Sequence, residues 1–278
     1  IKPAAREKSM DITMVEFFAI HGSPDAPTVD ILARGKATLV NDAPYNAQTD
    51  YLTVDPTLYI LDVTPGGDNS TIVGSFKADL LELAGKTAVV FASGFLNPAA
   101  NQNGPAFGLF AALANGLVVE LPAISNEPAR LQILHNAADP AAFRVDIYVN
   151  GDLLLDDFRF RTATPYIDVP SYTTLNIGVA PQSSASADEA LADFEVMLEA
   201  GKTYLAIANG VLDPAFFTQN PIGYDTGFTL FVKEMARETS SSPESVDLFV
   251  FHGVTDAPVV DVVARGVAFD HPVTPGRA

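Results

Sequence analysis

The chain has 278 residues, 48% of them hydrophobic and 18% charged, with a formal net charge of −18. That composition can fill two cores of ordinary size and is far from a disordered one. The acidity excludes nucleic acid, whose phosphates would be repelled, and disfavours an anionic membrane surface. Cysteine is absent, so there is no disulfide, thiol nucleophile or thiolate metal site. No run approaches the roughly 18 apolar residues of a helical membrane span.

Residues 1–14 read as a lead-in, and the opening Ile1-Lys2-Pro3 is compatible with a processed or trimmed N-terminus. Val15 to His21 alternates as a strand does, with Val15, Phe17, Ala19 and His21 on the apolar side and Glu16 beginning the other. Gly22-Ser23-Pro24-Asp25-Ala26-Pro27 has the chemistry of a turn, since proline fixes φ and aspartate can bond the backbone that follows it. A second strand follows, with Val29, Ile31 and Ala33 facing one way and Asp30, Leu32 and Arg34 the other.

This stretch returns twice. A looser copy runs from Leu131 through His135 to Asp139-Pro140 and then Val145 to Gly151, where Asn150-Gly151 is a strong hairpin signal. A close copy, Val246 to Gly266, carries His252-Gly253-Val254-Thr255-Asp256-Ala257-Pro258. The histidines stand 114 and then 117 residues apart, a period of whole domains rather than the roughly 20–50 residues of a solenoid repeat. Later segments repeat as well. Asp50 to Pro56 answers Pro165 to Pro170, Leu83 to Ala92 answers Glu199 to Ala208, and Leu96-Asn97-Pro98-Ala99 answers Leu212-Asp213-Pro214-Ala215. Closing strands are expected at 109–113 with 117–121, and at 228–233; the apolar run 107–114 is also compatible with a short helix.

Each unit thus holds about seven short strands with frequent turns, the pattern of an antiparallel Ig-like β-sandwich. The expected organisation is all-β: lead-in 1–14, sandwich repeat 15–124, linker 125–130, sandwich repeat 131–237, linker 238–245, and the first strands of a third unit at 246–278. Two strands cannot bury a core. The third unit, with strands at 246–251 and 259–264, is therefore expected to pair with another chain or with further repeats, giving head-to-tail self-association and filaments.

The opening stretch His21-Gly22-Ser23-Pro24-Asp25-Ala26-Pro27-Thr28-Val29-Asp30, with Thr164, Tyr166, Val169, Pro170 and the turn Ala200 to Tyr204, resembles the DUF4397 family. The resemblance implies tandem Ig-like sandwiches in secreted or surface-attached bacterial proteins, and it supplies no catalytic residues. Copy two departs from it at Asn136 and Ala137.

One polar constellation recurs, a histidine with an aspartate four residues on: His21 and Asp25, His135 and Asp139, His252 and Asp256. Imidazole and carboxylate at that spacing suit a shared metal or a base with its orienting acid. They equally suit a histidine that donates to a turn carboxylate or carbonyl and locks the loop. Ser23 does not recur, its place being taken by Ala137 and Val254, so the structural role is preferred and no catalytic set is assigned. Asp30, Asp146 and Asp261 recur on the second strand, where an ion pair with Lys or Arg, or protection of an edge, is the expected reason. Calcium is a candidate for these carboxylates, although no Asp-x-Asp-x-Asp-Gly loop is present. Ala84-Gly85-Lys86-Thr87 and Ala200-Gly201-Lys202-Thr203 lack the earlier glycine of a phosphate loop, since Leu80 and Val196 stand there, and read as turns.

The loops after Leu96 and Leu212 mix rings and amides. Asn101, Asn103 and Phe107 in one copy, and Phe217, Asn220 and Tyr224 in the other, are the candidate binding residues for a surface glycan or protein. The expected function is a non-enzymatic structural or adhesive repeat protein, secreted or on a bacterial cell surface, working as stalk, fibre or filament subunit. The alternative is a carbohydrate- or protein-binding module that uses those loops.

Overall fold

The computed structural model describes residues 5–263 and 265. They divide into two units, Ile1–Asn126 and Glu127–Ala278, and each encloses its own apolar core.

In the first unit, strand β1 (Val15–His21) lies between β4 (Leu52–Val54) and β7 (Thr87–Ser93), and the sheet continues through β8 (Gly108–Leu113) to β9 (Val118–Glu120). The facing sheet runs in the order β10 (Ala123–Ile124), β6 (Gly74–Asp79), β5 (Leu58–Pro65), β2 (Val29–Ala33), β3 (Ala37–Ala43). Pairing is antiparallel except that β1 and β7 run parallel. The expected strand periodicity holds on the inner faces: Val15, Phe17 and Ala19 of β1 pack with Val29, Ile31 and Ala33 of β2, each large side chain worth roughly 1.5–3 kcal/mol on burial. The apolar run at 107–114 forms strand β8 rather than a helix, because β7 on one side and β9 on the other satisfy its backbone.

The second unit repeats the plan. One sheet has β11 (Ala129–His135) beside the parallel strand β18 (Thr203–Asn209), with β14 (Thr162–Ala163) and β15 (Ile167–Val169) on its other side and β19 (Thr229–Glu234) beyond β18. The other sheet runs β13 (Asp152–Arg159), β12 (Arg144–Val149), β16 (Thr174–Pro181), β17 (Ala192–Met197). Asn150 and Gly151 link β12 to β13 with φ of 52° and 90°, the left-handed pair that a two-residue hairpin requires.

Several boundaries differ from those read in the sequence. The lead-in is fastened rather than free. Ser9 bonds Gly85, Thr87 Oγ1 donates to the carbonyl of Arg6, and the Arg6 guanidinium meets Glu16 at 3.0 Å. Glu16 is accordingly buried, not on an open face. Strand β11 starts at Ala129, inside the stretch read as a linker, since Ala129 is fully buried against the second core. At the other linker, both carboxylate oxygens of Glu238 accept from Arg130, at 2.8 and 2.9 Å.

Residues 246–263, expected to supply two strands, form none. A strand exists only where neighbours take its N–H and C=O groups, and among the described residues no backbone ladder joins 246–263 to either sheet of the second unit. Ala264 and residues 266–278 lie outside the described residues.

Candidate functional site

His21 occupies the last position of β1, and His135 the same position of β11. Strand alternation turns both rings inward, where both are buried. His21 Nε2 lies 2.9 Å from the carbonyl of Pro27, and its Nδ1 accepts from the amide of Ser23 at 3.4 Å. His135 repeats this with Ala142 O at 2.8 Å and the Ala137 amide at 3.3 Å. His252, in the third copy, does so with Pro258 O at 3.0 Å and the Val254 amide at 3.5 Å. These partners assign the proton to Nε2 in all three rings. Each imidazole therefore ties both ends of its own turn, and neither nitrogen is left for a metal or a proton transfer.

The aspartates do not bond the histidines. Asp25 accepts from the amides of Leu96 and Asn97 and from Asn101 Nδ2, each at 2.9 Å. The Asn97 amide chiefly holds its carboxyl below the ordinary value. Asp139 accepts from Leu212 at 2.8 Å, where the equivalent long loop begins, and caps the short 3-10 turn Pro140–Ala142 through Ala141, also at 2.8 Å. The His–Asp spacing thus separates two duties: the histidine closes the turn, and the aspartate staples the next loop onto it. Ser23 donates its hydroxyl to Gly94 O at 2.7 Å rather than to His21, so no serine–histidine pair forms.

Asp30 and Asp146 sit differently from expectation. Their strands are interior ones, each between two neighbours, and the carboxylates are 1% and 2% exposed. Neither pairs with a cation. Asp30 accepts from the amides of Asp42 at 2.5 Å and Gly67 at 3.3 Å. Asp146 accepts from the amide of Asp157 at 2.9 Å and the hydroxyl of Ser184 at 2.7 Å. Asp42 and Asp157 have φ of 49° and 53°, and each lies where the register of the hairpin shifts. Each buried aspartate therefore pins a β-bulge. Arg34, the cation nearest in sequence to Asp30, instead forks onto Asp62 at 2.9 and 2.6 Å.

Most of the loop candidates are used internally. Asn101 serves Asp25 and Phe107 packs on the first core edge-on to Phe76 at 5.9 Å, whereas Asn103 bonds Pro98 O only through its backbone N–H and is exposed. Phe217 is half-buried. In contrast, Tyr224 is 59% exposed, and Phe216, which the sequence did not single out, is 84% exposed. Asn220 reaches the third copy, donating to the carbonyls of Thr255 at 2.9 Å and Ala257 at 3.3 Å. Asn209 joins that contact and carried no signal of its own in the sequence; the departure of Asn136 from glycine was the available clue.

Among the described residues, no group of three or more His, Asp or Glu is placed to hold a metal ion. Among them, too, no helix is long and apolar enough to cross a membrane. The model of a family described as a domain of unknown function, DUF4397, matches residues 17–102 and again 129–224, more than half of the chain. No curated protein matches.

Proposed function

We propose that this chain, which belongs to the DUF4397 family in two tandem copies, is a non-enzymatic repeat protein of the cell exterior, a stalk, fibre or adhesive subunit built from serial sandwiches. The observation that carries this reading is the use of the one recurring polar constellation. Both nitrogens of every motif histidine are spent on backbone groups of its own turn, and the oxygens of Asp25 and Asp139 on groups of their own turn and loop. The cysteine-free, strongly acidic composition suits an exterior setting. Exposed Val246, Leu248, Val259 and Val262 support association through the third copy. Assays of the purified chain against ester, peptide, glycoside and phosphate substrates are expected to give no turnover. A hydrolytic activity that disappears in His21→Asn or His135→Asn would overturn the reading.

A second reading is a glycan- or protein-binding module, favoured by the exposure of Phe216 and Tyr224 on one loop of the second repeat. Aromatic faces of this kind supply contact area with little side-chain ordering. Binding to an immobilised glycan or protein that is lost in Phe216→Ala and Tyr224→Ala, with the melting temperature unchanged, selects this module over a passive spacer.

A further inference from the structure

Residues 246–258 form no strand, yet they are held at several points along the second repeat. Asp247 ion-pairs with Arg237. Phe251 packs on Phe231 with ring centroids 5.3 Å apart, and the Lys233 ammonium lies 5.9 Å from the centroid of Phe249. The contacts 231–251 and 233–249 step by two residues in opposite directions, so the segment runs antiparallel to β19. In the first repeat the matching side of β8 is taken by β9, with the same step in Phe110↔Glu120 and Ala112↔Val118. Among the described residues of the second repeat, no strand stands there.

At its far end this segment turns onto three asparagines. The amides of Asn136 and Asn209 lie 2.7 Å apart. With the Asn209 amide oriented by its partners, its nitrogen donates to the carbonyl of Gly253 at 3.0 Å and its oxygen accepts from the Gly210 amide at 3.2 Å; that nitrogen also faces the Asn136 amide, which must then present its oxygen. Asn220 takes the carbonyls of Thr255 and Ala257. A β-carbon at Gly253 would overlap the amide ends of Asn136 and Asn209 and the ring of Phe251, so a larger residue there must displace them. The internal His252–Pro258 bond keeps the turn closed while three of its carbonyls meet amide donors. The first repeat lacks the pair: Gly22 follows its histidine and Ser93 ends β7, at the places of Asn136 and Asn209.

We propose that Asn136, Asn209 and Asn220 form a recognition site for the His-Gly-x-x-Asp-Ala-Pro turn of the third copy, which binds there with its opening residues laid on the open side of β19. Side-chain amides are the fitting donors, because the turn offers its backbone carbonyls at the contact. The free strand edge fits an extended apolar segment. The proposal concerns how one copy is joined to the next, and it stands whether or not the protein is displayed outside the cell.

The 278 residues include no tryptophan, so Phe251→Trp in this chain is a single reporter of the seat. Its acrylamide quenching is expected to rise about threefold when Asn209→Ser and Asn220→Gly are added, as a docked ring becomes solvated. Far-UV circular dichroism and melting of the sandwiches should not change. Adding Gly253→Ala instead should release the ring from the other side. In the chain without the reporter, ring-to-ring nuclear Overhauser effects between Phe231 and Phe251 check the same contact independently of any substitution. Quenching that ignores the asparagine changes, or an absent Phe231–Phe251 effect, overturns the site. Quenching that depends on protein concentration also overturns it, because the turn would then be seated on another molecule.

Discussion

His135→Ala is expected to destabilise the second repeat by about 3–4 kcal/mol and to lower its melting transition by about 12–20 °C. His135 is completely buried. Its removal strands the Ala142 carbonyl and the Ala137 amide, which it bonds at 2.8 and 3.3 Å, and leaves a cavity beside Phe158 and Phe160. The two repeats have separate cores, so the first should melt as before, and hydrogen exchange assigns each transition. A loss below about 1 kcal/mol would mean that the ring merely fills space.

The same substitution has a pH signature. Burial pushes the His135 imidazole below its ordinary value, with the Ala142 bond opposing that shift. The unfolded chain therefore binds the proton more readily than the folded one, and stability rises with pH through the window between the two values. The contribution is complete above about pH 6.5 and falls as the solution is acidified toward the lowered value. The gap between the parent and His135→Ala should narrow on acidification. A gap that widens would mean that the folded state prefers the charged ring.

Much of the architecture was legible in the sequence because strand period and turn chemistry are local. The alternation in Val15 to His21, the Asn150-Gly151 hairpin and the repeated blocks each encode structure within a few residues. The roles of the polar residues were less legible, because a partner distant in sequence decides them. Asp25 acts on Leu96 and Asn97, and Asn209 on Gly253, contacts that no spacing reveals. The third copy marks the sharpest limit. Its sequence repeats strand-forming residues closely, but β structure needs a backbone ladder, and residues 246–258 meet β19 through side chains instead.

Asp146 separates two accounts of why a carboxylate stands in a strand. As a charge guarding an exposed edge it would be dispensable for stability, and its loss would show only as aggregation. As the acceptor inside the β12–β13 bulge it holds the amide of Asp157, at φ 53°, and the hydroxyl of Ser184, from within a site that is 2% exposed. Asp146→Ala removes both acceptors and is expected to cost about 2–3 kcal/mol. Asp146→Asn keeps one oxygen for the Asp157 amide and should cost about 1 kcal/mol. Denaturant melts of the two variants give the ordering, and hydrogen exchange at 155–158 locates it, since the bulge should open before the rest of β13. Both variants matching the parent in stability would return the residue to the role of an edge charge. The graded loss, with exchange confined to the bulge, makes it the pin that fixes the register of its hairpin, and Asp30→Ala should then act on the Asp42 bulge of the first repeat in the same way.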